Sequence, residues 1–264
     1  MQGLGFFLGH HKSGTRYIGL IFEEFCEHLG IDFHEVNNPK WFGFDIEEKL
    51  PASRPVCAKY MNANYRYVEN LKDFRGFHVI RDPRDLAVSA YFSHLHSHST
   101  QCWPELAEHR ERLCALDFDE GLLADMDFTD QLVTDGFPIT VFPAMDQWKY
   151  DDPRILELRF EDVVRDPLEY FARAFAFVGV LDPANRDHRE CLEHLVRDYS
   201  FRHMSGGRER GQANDRHHYR SGTPGEWRSR FKPVHLRWFE DRYPALLARF
   251  EGAQRDGQRP LHIS

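Results

Sequence analysis

The sequence predicts an α/β fold in which a central parallel β-sheet is flanked by helices. Short apolar segments alternate along the chain with longer segments that carry apolar residues at helical spacing, such as 15–29. This alternation is typical of a parallel sheet that is covered on both faces. A length of 264 residues is enough for one large domain with a buried core. We therefore expect a single domain over residues 1–264, with 251–264 as a loose polar tail.

Each predicted element follows from its local composition. Strands are predicted where apolar segments are too short for a helix: 3–9, 31–36, 54–60, 76–80 and 154–160. Helices are predicted where apolar residues recur at three- and four-residue spacing, or where a charged segment suits a helix: 15–29, 64–73, 83–95, 104–127, 137–150, 167–178, 184–198 and 234–250. The helix at 83–95 begins with a proline, which suits a first helical turn. Segments 37–54 and 202–226 are predicted as loops.

Composition and charge exclude several classes of protein. The chain has 42 acidic and 34 basic residues, for a formal net charge of −8, which disfavours binding to nucleic acid or to a membrane surface. Its five cysteines are scattered and form no CxxC pair, so we expect reduced thiols. No apolar run is long enough for a transmembrane helix, and no segment resembles a signal peptide. We expect a cytoplasmic protein.

The segment GHHKSGT (9–15) joins the first predicted strand to the first predicted helix. Backbone N–H groups at a helix N-terminus bind phosphate readily. In the Walker A pattern the lysine follows the last glycine, whereas Lys12 precedes Gly14, and no acidic residue ends a later strand where it would hold Mg²⁺. The segment thus predicts a metal-free phosphate site. An ordinary strand–helix turn with an incidental lysine is the alternative.

A second cluster lies at the end of the fourth predicted strand. Arg81 ends that strand, and Ser89 follows eight residues later inside a predicted helix, where a hydroxyl does not favour helix formation. A phosphate held between Arg81 and Ser89 would explain both residues. Alternatively, Arg81 forms an ion pair with Asp82 or Asp85, and Ser89 is an ordinary helix residue without a function.

Five segments resemble, in chain order, the motifs of the sulfotransferase family that uses 3′-phosphoadenosine 5′-phosphosulfate (PAPS). HKSGT (11–15) resembles the family's 5′-phosphosulfate loop PKSGTTW, and IRDPRDLAVSAY (80–91) resembles its 3′-phosphate segment RNPKDVAVSYY. LELRFEDVVRDP (156–167) resembles LxYEDLxxDP, with Phe in place of the adenine-contacting Tyr. YSFRHMSG (199–206) resembles the adenine-side SFxxM segment, and YRSGTPGEW (219–227) resembles the RKGxxGDW loop.

The resemblance implies a P-loop-kinase-like fold and a sulfotransferase with PAPS as co-substrate and no metal. The reaction would be in-line attack of an acceptor hydroxyl or amine on sulfur, releasing 3′,5′-ADP, with Lys12 stabilising the charge that grows on the bridging oxygen. The implied contacts are Lys12, Ser13, Gly14, Thr15 and Arg16 at the 5′-phosphosulfate, Arg81, Ser89, Arg220, Ser221 and Gly222 at the 3′-phosphate, and Ser200 and Phe201 at the adenine.

The catalytic base does not follow from the resemblance, because the small-molecule branch has a histidine in KTH where this chain reads AKYMN. Glu35 stands 23 residues after Lys12 (35 − 12), a spacing similar to that of a glutamate in the glycan branch. Strand neighbours point to opposite faces, so His34 and Glu35 cannot both enter the cleft, and Glu35 is favoured. His11 is a second candidate, and Lys59 is expected to contact the sulfate or the acceptor.

Two other functions remain open from sequence: a nucleotide or small-molecule kinase on the same fold, and a non-catalytic binding module with a sulfotransferase-like fold. The histidines of HLHSHS (94–99) invite a metal site, but the predicted helix breaks their alternation, so no metal is expected. The acceptor is expected to be a small molecule or a glycan. The sequence predicts no oligomeric state.

Overall fold

The computed structural model describes most of the chain: residues 3–43, 45–101, 103–134 and 136–251. The tail expected at 251–264 lies, beyond its first residue, outside the described residues. The described residues form two compact units: a first unit of 3–81 and 148–222, and a second unit of 82–147 and 223–251. The expectation of one domain over residues 1–264 stays a prediction.

The elements alternate as the sequence predicts. The strands are β1 (Leu4–Gly9), β2 (Asp32–Val36), β3 (Val56–Tyr60), β4 (Phe74–Ile80), β5 (Val133–Thr134), β6 (Phe137–Pro138) and β7 (Ile155–Arg159). The helices are α1 (Thr15–His28), α2 (Ile46–Lys49), α3 (Pro83–Phe92), α4 (Pro104–Cys114), α5 (Phe118–Asp130), α6 (Val141–Asp146), α7 (Phe160–Arg165), α8 (Pro167–Val178), α9 (Arg186–Asp198), α10 (Phe201–Met204), α11 (Trp227–Arg230), α12 (Pro233–Arg242) and α13 (Pro244–Glu251).

The first unit is built on a parallel five-stranded sheet with the order β2-β3-β1-β4-β7. This confirms the predicted α/β class. On one face Phe7 and Phe77 pack with α1, α8 and α9. On the other face Phe6, Leu8 and Tyr60 pack with buried side chains of the connecting segments. Each such large apolar side chain contributes about 1.5–3 kcal/mol by its burial.

The middle of the sheet determines where the candidate site lies. In β1, Leu8 is in register with Tyr60 of β3 and with His78 of β4, so the three strands end side by side. Ligands of open parallel sheets bind beyond the carboxyl ends of the strands. The segment after β1, the segment after β3 and Arg81 after β4 therefore share this edge.

The second unit is mainly helical. Helix α3 packs against α5 and α11, and α5 also packs against α4 and α6. Asp82 caps α3 because its carboxylate accepts the N–H of Arg84 at 3.0 Å, which confirms the predicted start at Pro83. The chain continues from α3 into a π-helical turn, Ser93–Ser97.

Several element predictions are wrong in extent or type. Residues 64–73 form only a 3₁₀ turn, Tyr65–Tyr67, because Val68 and Leu71 face the buried side of the sheet from a turn rather than from a helix. The helix predicted over 137–150 is confined to α6, since its first residues pair with β5 as strand β6.

Two helix boundaries follow from proline. The helix predicted over 234–250 is divided into α12 and α13 at Tyr243, whose ψ of 49° is not helical, because a residue before proline disfavours the α region. Helix α7 was not predicted. The strand expected to reach residue 160 ends one residue earlier, and α7 ends at Arg165, with Asp166 as its C-cap directly before Pro167.

Candidate active site

The loop between β1 and α1 is a tight turn closed by its own backbone. The N–H of Ser13 donates to the carbonyl of His10 at 3.1 Å. Lys12 and Gly14 both have left-handed backbone conformations, with φ of 63° and 76°. For a lysine this conformation is strained, and such strain concentrates at functional sites. His11 lies in the same turn, and its role as a base stays a prediction.

Gly14 is required by its surroundings as well as by its φ. A Cβ atom at this position would lie 2.5 Å from Cε2 of Phe160, which is far inside van der Waals contact. The aromatic ring of Phe160 thus packs directly on the glycine of the loop.

The start of α1 has the properties of an anion site. Within the described residues, no side chain caps this helix, and its first turn contains no acidic residue, so the backbone N–H groups and the positive end of the helix dipole are available. Arg16 adds a positive side chain in that turn. The hydroxyl of Ser13 is buried and has no hydrogen-bond partner among the described residues, an arrangement that a bound phosphate oxygen would satisfy.

Arg81 connects the end of β4 to this loop. Its Nη1 donates to the carbonyl of Lys12 at 3.0 Å, and its guanidinium lies 5.0 Å from the ring centre of Phe160. Ser89 belongs to α3 in the second unit. The prediction that Ser89 and Arg81 share a phosphate therefore stays a prediction from sequence.

The predicted adenine-side residues lie in the first unit together with residues 217–222, which we call the basic loop. Ser200 caps α10 through its hydroxyl, and Phe201 is buried. Gly222 packs so closely on Phe201 that a Cβ there would lie 2.5 Å from the ring. Arg208 and Arg210 each lie 5.6 Å from the centre of the same ring.

The remaining predicted residues of the basic loop are partly enclosed. Ser221 is buried, and Nη1 of Arg220 lies 3.4 Å from the carboxylate of Asp215. The structure therefore brings Ser200, Phe201, Arg220, Ser221 and Gly222 into one folded segment.

Sequence reasoning did not single out His218, which the structure places in the electrostatic field of the β1–α1 loop. Burial, together with the positive charges of Lys12 and Arg16, lowers the pKa of His218 to about 4. The basic loop thus approaches the start of α1. The adjacent pair His217-His218, directly before the basic motif, was the signal available in the sequence.

Lys59 lies between two carboxylates. Its Nζ is 2.7 Å from Oε2 of Glu23 on α1 and 3.2 Å from Oε2 of Glu35 on β2. Burial would lower the pKa of Lys59, but the hydrogen bonds to Glu23 and Glu35 outweigh it, so the pKa is raised. Lys59 is therefore a permanent cation and not a proton acceptor. Because Glu35 faces α1, strand alternation directs His34 to the opposite face.

Glu23 is a second residue that sequence reasoning missed. Gly19 and Glu23 are four residues apart on α1 and so share a helix face. The Lys59 side chain passes over Gly19, where a Cβ would lie 3.0 Å from its Cδ. This i, i+4 pair was visible in the sequence, but only the pairing of β2 with β3 shows that it faces Lys59.

The histidine-rich segment contributes to a buried network in the second unit. His94 Nδ1 and His109 Nε2 lie 2.8 and 2.9 Å from the same oxygen of Asp125. Burial would raise the pKa of Asp125, but the two histidines lower it below its ordinary value. Over the described ranges, no three His, Cys, Asp or Glu side chains are grouped so as to hold a metal ion. In the same part of the chain, no helix combines the length and the apolar character needed to cross a bilayer.

Comparison with known proteins identifies the class. The family model described as the sulfotransferase domain matches residues 70–251, well over half of the chain. The chain therefore belongs to the sulfotransferase domain family and is a sulfotransferase, as the five motifs predict. Comparison with curated protein sequences gives no match.

Solved structures show the same fold. A mouse sulfotransferase, SULT7A1, in complex with PAP has 17% identity to this chain and a TM-score of 0.60, and the match covers 96% of this chain and 87% of that one. A retinol dehydratase in complex with androsterone and the inactive cofactor PAP has 16% identity and a TM-score of 0.54, with coverage of 98% and 83%.

Proposed function

We propose that the protein transfers the sulfuryl group of PAPS to a hydroxyl or amine of a small-molecule or glycan acceptor and releases 3′,5′-ADP. The observation that carries this proposal is the loop before α1. There an uncapped helix N-terminus, a strained Lys12 and the buried hydroxyl of Ser13, which has no partner among the described residues, converge. The PAP complexes of the two structural neighbours support the same choice of donor.

The residues of the first unit suit the parts of this donor. Backbone N–H groups from Ser13 to Arg16 would hold the 5′-phosphosulfate. Arg81 and the segment Arg220–Gly222 would hold the 3′-phosphate, and Ser200 and Phe201 would lie at the adenine. Two cations at the 5′-phosphosulfate, Lys12 and Arg16, would take the role that a metal plays at the transferred group in nucleotide kinases.

Lys12 and the start of α1 supply the electrostatic part of the chemistry. PAPS would supply an activated sulfuryl group, and cleavage of its S–O bond leaves negative charge on a phosphate oxygen. A lysine ammonium and helix N–H groups that are fixed before the reaction stabilise such charge without reorganisation.

Glu35 is the best-placed candidate for the base that takes the acceptor's proton. Lys59 bonds to it at 3.2 Å, and that cation is itself fixed by Glu23 at 2.7 Å. Glu35 is partly open to solvent, with 45% of its side chain exposed, so an acceptor can reach it. A positioned base of this kind contributes about 10²–10⁴-fold to the rate.

The donor assignment is tested by calorimetry without Mg²⁺, using 3′,5′-ADP, ADP and 5′-AMP. We expect clear preference for 3′,5′-ADP. In Arg81→Ala this preference should fall about tenfold, equivalent to 1.4 kcal/mol, because a 3′-phosphate contact is lost. Arg186→Ala is the matched control, since it removes an exposed arginine of an i, i+4 ion pair on α9.

Equal binding of the three nucleotides would contradict the donor assignment. Binding of ADP only in the presence of Mg²⁺ would favour the kinase alternative. Equal losses in Arg81→Ala and Arg186→Ala would show that only net charge matters.

A further inference from the structure

A buried chain of hydrogen bonds lies at the base of the β1–α1 loop, and the proposed chemistry does not use it. His10 Nε2 is 2.9 Å from His78 Nε2, and His78 Nδ1 is 2.7 Å from Oε2 of Glu157. The other oxygen of Glu157 accepts the indole N–H of Trp148 at 2.9 Å. His10 and His78 are 1% and 0% exposed. The chain therefore connects the residue after β1 to β4 and β7.

Aromatic packing fixes these rings. The indole of Trp148 stacks on the imidazole of His78 with centroids 3.9 Å apart, and it meets His10 edge-on at 5.7 Å. Tyr65 packs edge-on against the same indole at 5.5 Å. Rotation of either imidazole would break this packing as well as its hydrogen bonds.

The direction of the hydrogen bonds follows from the donors. The indole nitrogen of Trp148 can only donate, and His78 Nδ1 donates to the second carboxylate oxygen of Glu157. Burial lowers the pKa of both His10 and His78 well below the ordinary value of 6.5, so both rings are neutral near pH 7. His78 Nε2 then has a lone pair, and His10 Nε2–H donates to it. Glu157 thereby determines the tautomer of both histidines.

His10 is also the residue on which the phosphate loop closes. Its carbonyl accepts the N–H of Ser13, and the left-handed Lys12 lies between these two residues. A strained backbone persists only where its surroundings over-determine it. The anchored side chain of His10 is such a constraint, because it connects the first residue of the turn to two further strands.

We propose that His10 and His78, oriented by Glu157, are positioning residues of the 5′-phosphosulfate loop. They hold the turn in the conformation that presents Lys12 and the N-terminus of α1 to the donor. This inference rests on the proposed function, because it takes the ligand of the loop to be the 5′ end of PAPS. It assigns no proton transfer to the chain.

The test compares the affinities of 3′,5′-ADP and adenosine 3′-phosphate, because their ratio isolates the contribution of the 5′-phosphate. His10→Leu removes the donor to His78, and we expect the ratio to fall about tenfold, or 1.4 kcal/mol. His10→Gln is the conservative variant, since its amide N–H can still donate to His78 Nε2, and it should keep the ratio within about threefold.

Glu157→Gln provides an independent test that preserves shape. Trp148 and His78 use different oxygens of Glu157. In glutamine one of these two acceptors becomes an NH₂ donor, so the tautomer of His78 is no longer fixed and the ratio should fall as in His10→Leu. If His10→Leu does not fold, Glu157→Gln and His10→Gln still decide. The control is His109→Leu, which breaks a buried histidine–carboxylate pair in the second unit and should lower the melting temperature without changing the ratio.

If the affinity ratio stays unchanged in His10→Leu and Glu157→Gln while only the melting temperature falls, the His10–His78–Glu157 hydrogen bonds only stabilise the fold. That result would overturn the inference. An equal fall in His10→Gln would do the same. If the wild-type protein itself fails to prefer 3′,5′-ADP to adenosine 3′-phosphate, the proposed function fails, and the inference fails with it.

Discussion

At the scale of single residues, a comparison of Gly14 with Gly30 distinguishes the effect of backbone strain from that of steric exclusion. Its φ of 76° costs an L-residue about 1–2 kcal/mol, and the Phe160 ring excludes a Cβ at 2.5 Å. Gly30, after α1, has a similar φ of 66°, but a Cβ there would have no atom of the described residues within 4 Å. The two glycines therefore share the strain and differ only in space.

We expect Gly14→Ala to lose stability and also about tenfold in 3′,5′-ADP affinity, because the methyl group must displace Phe160 or the loop. Gly30→Ala should lose only the strain energy, about 1–2 kcal/mol. Urea unfolding and calorimetry measure the two effects. Unchanged nucleotide affinity in Gly14→Ala would contradict the position of the loop in the donor site.

Lys59 acts at the same scale, through its charge. If Glu35 is the base, the neighbouring ammonium holds its carboxylate in place through the ion pair at 3.2 Å. In Lys59→Met this ion pair is lost, and the carboxylate is no longer fixed relative to the acceptor. We therefore expect kcat to fall by about tenfold, with little change in the affinity for 3′,5′-ADP.

The measurement is steady-state kinetics of wild type, Lys59→Met and Lys59→Arg, with calorimetry for 3′,5′-ADP. The arginine variant keeps the positive charge beside Glu35, so its kcat should lie closer to that of wild type. An unchanged kcat in Lys59→Met would argue against Glu35 as the base.

At the scale of elements, the first turn of α3 holds the segment that leads into α11. Asp85 is buried, and its carboxylate accepts the backbone N–H groups of Gly225 and Trp227. The guanidinium of Arg84 lies 3.9 Å from the ring centre of Trp227 and is bidentate to Asp82. The last three residues of the motif YRSGTPGEW, 225–227, therefore pack within the second unit.

We expect Asp85→Ala to destabilise the protein by about 1–3 kcal/mol, because it leaves two partly buried N–H groups without their acceptor. Asp85→Asn keeps one carbonyl oxygen and should lose less. Denaturant unfolding measures both variants. Equal stability of Asp85→Ala and wild type would contradict this role.

The elements also show what a sequence can predict. Strand β1, the loop and α1 were predictable because an apolar run, a glycine-bounded turn and a helical apolar stripe follow one another. The conformation of residues 64–73 was not predictable, because Val68 and Leu71 have helical spacing but pack on the sheet from a turn. Tertiary packing overrides a periodicity of only two or three residues.

The same limit applies to the candidate site. The loop residues were predictable because contiguous motifs carry them. The Lys59–Glu23–Glu35 cluster and the His10–His78–Glu157 chain were not, because each depends on which strands are neighbours in the sheet. Strand order is a non-local property, and a single sequence encodes it only through the whole pattern of burial.

At the scale of the whole molecule, net charge and local charge have opposite signs. The chain has eight more acidic than basic residues, yet the β1–α1 loop, the first turn of α1 and the end of β4 bring Lys12, Arg16 and Arg81 to one edge of the sheet. An acidic protein can therefore bind a small anion by local focusing of charge. The buried, neutral His10 and His78 of the first unit instead affect how the stability of the protein depends on pH.

The free energy of unfolding should fall as the pH drops below about 6.5. In the unfolded chain His10 and His78 take up protons near that pH, whereas burial keeps their pKa values well below 6.5 in the folded protein. Above pH 6.5 both rings are neutral in the folded and in the unfolded chain, so they do not change the free energy of unfolding. Below that pH, each histidine lowers the free energy of unfolding by up to about 1.4 kcal/mol per pH unit, until the pH reaches its folded pKa. The lowered pKa values of Asp125 and Asp152 act only below their ordinary 3.8, so the two windows are separate.

Urea unfolding at pH 7 and pH 5.5 measures this loss in wild type and in His10→Gln. The variant has one buried titrating ring fewer, so its stability should fall less between the two pH values, whatever its stability at pH 7. A wild type that is equally stable at both pH values would mean that these histidines are protonated as readily in the folded as in the unfolded chain. That result would also remove the neutral tautomers on which the hydrogen-bond direction in the His10–His78–Glu157 chain depends.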